Sequence, residues 1–373
     1  MQNAMNVDVL VIGGGPGGLL SSIQASKGRN VTLLEKPSRT MGLGKRILVS
    51  GNGRANFFNE DLFHHQDRYD FLLRDSDHDY ARDFFSYLEG EGFSYTKEDS
   101  LYYPYFKRSE CLHSFLMDRM KKVKVIYGTA LMVRPEEKTV LVLLEGKKII
   151  IHYEVLVLSI GGRSYDREDY SYDLLSSLKV RYHAYQSMLC PIRTKEKIPS
   201  YLSKQRLRMK LSLFAGQDEI FSEVGEVLFK DDGISGIAVF NSTKYLLDHK
   251  RMNPGADFLY QIDYAYDGLG KHTSLSCYPS FLKKYLEENH FEKGEPLLFH
   301  FDSLYPFKES QASYGGILLD EVDEERLCLK KYPDIYAIGE MLDVNMKCGG
   351  YNMGMSLVEG FEVGRRLARH GSK

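Results

Sequence analysis

Near the start of the chain a short, β-rich apolar run, Val7 to Ile12, closes on Gly13-Gly14-Gly15-Pro16-Gly17-Gly18, and Leu19 to Lys27 then reads as a helix that stops at Gly28. Strand, glycine turn and helix in that order admit few folds. Gly13, Gly15 and Gly18 take the G-x-G-x-x-G positions. The first permits the sharp turn, the second lets a pyrophosphate approach the backbone, and the third lets helix and strand pack closely. The helix N-terminus then offers unpaired N–H groups and a positive dipole end to an anion. Taken alone, the motif also fits a glycine-rich turn in any α/β protein. A second strand, Val31 to Leu34, ends in Glu35, about 20 residues beyond the motif, where an acid can accept hydrogen bonds from an adenosine ribose. An acid here, rather than an arginine, points to FAD or NAD over NADP as the tightly held nucleotide.

Three later features favour FAD. After Val123 to Tyr127, the segments Ala130 to Arg134, Thr139 to Leu144 and Lys148 to Tyr153 are β-rich and separated by short polar turns, which predicts a three-stranded meander. Val155 to Ile160 is a near-continuous apolar strand ending at Gly161-Gly162, as a buried parallel strand should be. Finally, Ile335 to Ile338 is a short strand ending in Gly339-Glu340, and Gly360 to Leu367 falls in a C-terminal helix. No second G-x-G-x-x-G follows Gly18, so a stable NAD(P) domain is not expected.

The 373 residues suggest two or three domains. The predicted division is a discontinuous FAD-binding domain, 1–187 and 311–373, and an insert at 188–310, β-rich to about 266 and followed by a short helical cap. Within the insert, Arg193 to Lys210 carries seven cations against Glu196 alone, read as a solvated strand edge guarded by positive charge. A formal net charge of -2 supplies no general field for a polyanion. The longest apolar runs fall far short of the roughly 20 residues of a membrane span. The N-terminus shows no basic leader, and the five cysteines show no C-x-x-C spacing, so a reduced cytoplasm is expected and no metal site is read. His64-His65 lacks ligand spacing, and Cys348 reads as an inert thiol.

Lys45-Arg46-Ile47-Leu48-Val49-Ser50-Gly51-Asn52-Gly53-Arg54-Ala55-Asn56 is similar to a lysine-led S-G-G-G-R-C-N signature, Gly233-Ile234-Ser235-Gly236 to a G-x-S-G-P segment, and Gly339-Glu340-Met341-Leu342-Asp343 with Gly349-Gly350-Tyr351-Asn352 to G-E-x-L-D…G-G-Y-N. These are signatures of the bacterial BaiN-like, or aminoacetone-oxidase-type, NAD(P)/FAD-dependent oxidoreductases, which the chain resembles over nearly its whole length. The resemblance implies an α/β fold: a Rossmann-type FAD-binding domain with the meander, an inserted β-barrel-like substrate domain and a small helical cap. It also implies noncovalent FAD. Gly13, Gly14, Gly15 and Gly18 would meet the pyrophosphate, Glu35 and Lys36 the adenosine half, and the backbone near Ala130 the adenine. Lys45, Arg46, Ser50, Gly51, Gly53, Arg54 and Asn56 would lie along the ribityl-flavin side, with Gly161 and Gly162 nearby. Gly339, Glu340, Asp343, Gly350, Tyr351 and Asn352 would surround the ring.

Arg54, Tyr351 and Asn352 are the catalytic candidates: Arg54 to compensate charge on reduced flavin, Tyr351 as proton donor, Asn352 to shape the ring's surroundings. The expected activity is hydride transfer between flavin N5 and a small organic substrate, as an NAD(P)H-dependent reductase of an activated C=C bond of enone or sterol type. Alternatives are an oxygen-using amine or amino-ketone oxidase, and a tRNA-modifying or non-catalytic flavoprotein. The chain departs from the family at Ala55, where the signature has Cys, at Ile237, where it has Pro, and at Arg163-Ser164-Tyr165-Asp166-Arg167-Glu168, where the family is rich in Gly and Thr.

Overall fold

The computed structural model describes residues 4–37, 42–64, 67–164, 170–268 and 272–370. Tyr165 to Glu168 and His65 lie outside the described residues. The glycine turn joins a strand, Ala4–Ile12, to a helix, Pro16–Ala25. Pro16 sits in the first turn, where its missing N–H leaves no bond unmade. Every residue from Gly17 to Ala25 is buried, so this helix has no wet face.

Ala4–Ile12 lies inside a seven-stranded sheet. On one side it pairs in parallel with Val31–Glu35, and beyond that lies Lys124–Tyr127; on the other it pairs with Lys147–Leu158. Val9 faces Val31 across one ladder and Val155 across the other, so the apolar runs of three strands align, as burial on both faces requires. Ile335–Ala337 adds in parallel to Lys147–Leu158 and delivers Gly339 to the carboxyl end of the sheet, where ligands of open α/β sheets bind.

The meander differs from expectation in one respect. Its third strand and the apolar parallel strand after it are one continuous element, Lys147–Leu158. The first part runs antiparallel to Thr139–Leu144, and from Ile150 onward it also pairs with Ala4–Ile12. Tyr153-Glu154-Val155 contains no turn-forming residue, so nothing interrupts the extended backbone.

The chain divides into two compact units: Met1–Gly162, Glu168–Tyr185 and Gly315–Lys373 form one, and Arg163–Arg167 with Gln186–Tyr314 the other. The second contains a closed barrel of six strands, in the order Ile192–Thr194, Gly233–Ser235, Asp218–Lys230, Arg206–Ala215, Phe258–Asp263 and Leu297–Leu304. Closure corrects the reading of the basic segment. Arg206–Ala215 is hydrogen-bonded to strands on both sides, so Arg206 to Lys210 guard no edge. Instead Arg206 pairs with Glu226 at 3.1 Å, and Arg193 with Asp232 at 3.0 Å.

The insert's internal order is also corrected. Its β-rich part contains a helix, Ile237–Met252, and a barrel strand, Leu297–Leu304, follows the helix Ser280–Glu288 read as cap. Ile237-Ala-Val-Phe opens that first helix with strand-like residues, which masks its 3.6-residue period. In the first unit, the C-terminal helix extends over Tyr351–His370. It crosses the first helix through small residues: a Cβ on Gly360 would lie 2.3 Å from the Gly17 carbonyl oxygen, and one on Gly364 2.5 Å from that of Ser21. Among the described residues no helix is long and apolar enough to cross a membrane.

Candidate functional site

The glycine turn is built by contacts that exclude side chains. Gly13 has φ +101°, its N–H donates to the Leu34 carbonyl at 2.9 Å, and a Cβ there would lie 2.4 Å from the Ser159 carbonyl oxygen. A Cβ on Gly18 would sit 1.9 Å from the Gly13 carbonyl oxygen. Gly15 is different: the nearest atom to a Cβ there is 3.9 Å away, so the protein's own packing does not require glycine. Gly15 is also the N-cap of the helix and makes no side-chain cap, leaving the first-turn N–H groups to an external acceptor.

Glu35 ends the second strand and accepts the Gly14 N–H at 2.5 Å. Burial pushes its carboxyl above the ordinary range, against the opposing pull of that bond and of Lys45. The Gly44 N–H reaches back to the Gly14 carbonyl at 2.8 Å, which brings the start of Lys45–Val49, with Arg46, to the turn. The Gly128 N–H donates to the Glu35 carbonyl at 2.9 Å, so Ala130, fully buried, stands close to the same strand end as Lys36. The ladder shifts register between Ala130 and Met132.

The second predicted loop has an unusual backbone. Gly51, Asn52, Gly53 and Ala55 all have positive φ, at 53°, 54°, 81° and 50°. For Ala55, which is buried and has no polar side chain to compensate, that conformation costs about 1–2 kcal/mol. Ser50 Oγ anchors the loop on the Ile47 carbonyl at 2.6 Å. The Oδ1 of Asn56 is buried with no hydrogen-bond partner, and a Cβ on Gly350 would lie 2.5 Å from it. The structure thus brings Asn56 and Gly350 together. Arg54 is half-exposed, bonded to Glu98 at 2.7 Å and stacked over Tyr103 at 4.5 Å.

At the third signature, Gly339 has φ +71°, and the Glu340 Oε2 is 4.0 Å from the position of a Cβ on Gly161, which precedes Gly162. Asp343 is fully buried: His183 Nδ1 lies 2.8 Å from its Oδ2, Arg68 3.6 Å, and Asn345 donates to Oδ1. The Tyr351 hydroxyl donates to Asp61, and Lys347 lies over its ring at 5.1 Å. Asn352 Nδ2 donates to the Met346 carbonyl at 3.3 Å. Asn59, Asp61, Arg68, His183 and Glu359 went unread in the sequence. None lies in a motif, and each meets its partner only across the fold; Asn59 Nδ2, for example, reaches the Gly349 carbonyl at 2.8 Å.

These residues fit a dinucleotide. An uncapped helix N-terminus, open space before Gly15, an acid at the second strand end and an orphaned acceptor on Asn56 provide donors and acceptors for diphosphate, ribose and ring. The fold is that of a Rossmann-type dinucleotide-binding domain. The chain belongs to the HI0933-like protein family, whose Rossmann-domain model matches residues 7–366. It is 23% identical to a 3-dehydro-bile acid delta(4,6)-reductase of Clostridium scindens, over 96% of this chain and 98% of that protein. It is 21% identical to a ribosomal RNA dihydrouridine synthase of Haemophilus influenzae, over 92% of this chain and 94% of that one. Among solved structures, 3-ketosteroid-delta4-(5alpha)-dehydrogenase from Rhodococcus jostii RHA1 shares the fold, with a TM-score of 0.51 at 14% identity over 98% of this chain and 97% of that one.

Proposed function

We propose that the chain is an FAD-dependent reductase that saturates a C=C bond conjugated to a carbonyl, with NAD(P)H as electron donor. The observation that carries this reading is the near full-length match to two reductive enzymes with dissimilar substrates. A bile-acid dienone and the uracil ring of uridine share one reactive unit, an alkene polarised by a carbonyl. Bound FAD supplies the hydride chemistry at N5.

The chain's own residues would do the rest. The N–H groups after Gly15 hold the diphosphate, and Glu35 the adenosine ribose. Arg54 supplies positive charge on the ring side of the Ser50–Asn56 loop. Saturation also requires a proton, for which Tyr351 Oη, now shared with Asp61, is the candidate. Asn352 steadies the loop before the C-terminal helix through the Met346 carbonyl.

Arg54 separates function from packing. Its pair with Glu98 is half-exposed and screened by water, so it contributes little to stability. Arg54→Ala should therefore leave the melting temperature within a few degrees of wild type. It should lower kcat/KM, by up to the roughly hundredfold to thousandfold that loss of one electrostatic contact to developing charge costs in a dry site. A variant with unchanged kcat/KM would remove Arg54 from the mechanism.

A second reading, reduction of a base in RNA, is favoured by the dihydrouridine synthase relative and by the exposed Lys204, Arg206 and Arg208. One experiment separates the readings. The flavin-loaded chain is reduced anaerobically with NADH or NADPH, then mixed with a 3-oxo-Δ4 steroid, a simple enone or unmodified ribosomal RNA. Bleaching by a nicotinamide followed by reoxidation with steroid or enone supports the small-molecule reductase. Reoxidation by RNA alone supports the second reading. Failure of both nicotinamides to bleach the flavin, with bleaching by amines and return of colour in oxygen, would establish an oxidase instead.

A further inference from the structure

Glu359 lies in the C-terminal helix, 1% exposed, and has no part in the reaction proposed above. Its Oε2 accepts the Gly339 N–H, while Oε1 is sealed from solvent without a hydrogen-bond partner. Gly339 opens the turn Gly339–Met341 in a left-handed conformation that L side chains rarely adopt, so the direction of its N–H is set by an unusual backbone. The surrounding helix residues touch both glycine turns. Ser356 Oγ is 2.8 Å from a Cβ placed on Gly339 and 2.7 Å from one placed on Gly17, and Gly360 abuts the Gly17 carbonyl. One stretch of helix therefore joins the two turns assigned to the dinucleotide.

We propose that Glu359 is a positioning residue for the cofactor: as a neutral acid it holds the Gly339–Glu340 turn in place for FAD, and on losing its proton it releases that turn and weakens FAD binding. This rests on the reading that the Gly339–Glu340 turn contacts FAD.

The physics follows from the surroundings. An ionised carboxylate with one hydrogen bond and no counter-charge is costly in a dry site. Burial pushes the Glu359 carboxyl up to about 8, opposed only by the Gly339 N–H. The first helix brings no charged residue to it. On the elements packed against this helix, Glu340 follows Gly339 on the turn, and Tyr80 and Asp83 of the helix Tyr80–Gly90 meet Arg366 and Arg365. One turn further along its own helix, Glu362 is paired with Arg365 and Arg366, and Arg365 also with Asp83. Once ionised, Glu359 is held in a dry site by one hydrogen bond alone, and moving out toward water relieves that cost and breaks its hold on Gly339. The new charge also opposes an anionic diphosphate.

FAD dissociation constants measured by flavin fluorescence between pH 6 and 9.5, for the wild-type chain, Glu359→Gln and Glu359→Leu, test this. Coupling to one proton predicts a wild-type affinity that is flat at low pH and falls up to about tenfold per pH unit above the carboxyl's transition. Glu359→Gln keeps an acceptor for Gly339 and cannot ionise, so its affinity should stay at the neutral-pH wild-type level throughout. Glu359→Leu should bind FAD up to about tenfold more weakly than wild type at pH 6 to 7, the loss of about one hydrogen bond, with no further fall as pH rises. The proposal is overturned if Glu359→Gln weakens with pH in step with wild type, or if Glu359→Leu binds like wild type. Should the leucine variant not fold, the comparison of wild type with Glu359→Gln decides by itself. A wild-type chain that takes up no FAD at any pH would defeat the cofactor reading first, and this proposal with it.

Discussion

Gly18→Ala should abolish FAD retention and cost the fold about 1–3 kcal/mol. The added methyl would lie 1.9 Å from the Gly13 carbonyl oxygen and 3.2 Å from Ser159 Cβ. The first of these is backbone, so no rotamer change relieves the clash; the helix must move away from the strand. That movement opens the glycine turn and misdirects the N–H groups meant for the diphosphate. Urea denaturation and the flavin-to-protein absorbance ratio measure the two effects. Gly90→Ala is the control: a Cβ there meets nothing within 4 Å, and alanine in a helix should be neutral or slightly stabilising. A Gly18→Ala chain that purified yellow with an unchanged denaturation midpoint would show that the close approach is not needed.

The second large effect is on stability against pH. Glu359 has its carboxyl raised from 4.5 to about 8 in the folded chain. Between those values the folded state keeps a proton that the unfolded state has released, so stability falls as pH rises through that window. The slope from this group is at most on the order of 1.4 kcal/mol per pH unit. It is absent below the ordinary carboxyl value, where both states are protonated, and above the folded-state value, where both have lost the proton. Glu359→Gln removes it. The difference in unfolding free energy between variant and wild type, both measured free of FAD, should therefore grow from about pH 5 to 8 and then level off. Parallel curves would mean that Glu359 ionises without cost, through water reaching Oε1.

Much of the fold could be read from local patterns. The strand–glycine–helix unit, the acid at the second strand end, the short late strand before Gly339-Glu340 and the barrel strands near Leu207 and Phe258 each follow from periodicity and punctuation within about a dozen residues. The failures have equally local causes. Lys147–Leu158 read as two strands because a meander and a parallel strand carry different patterns, although no residue breaks the backbone between them. Ile237–Met252 was hidden by its β-branched opening.

The candidate site divides in the same way. Gly13, Gly18, Gly51, Gly53, Gly339 and Gly350 could be singled out from the chain because they stand in recognisable motifs, and the structure gives each a left-handed φ or a contact that a Cβ would fill. The sequence alone determined a Rossmann-type nucleotide domain with an insert, since strand and helix periods and glycine spacing are short-range consequences of backbone sterics. Tertiary structure decided that the basic segment lies within a closed barrel and not at an edge, that Asn56 faces Gly350 with an unsatisfied oxygen, and that Glu359 clamps Gly339. Those outcomes depend on burial and on hydrogen-bond partners far away along the chain. A buried carboxyl and an exposed one are the same letter until the fold removes water from one of them.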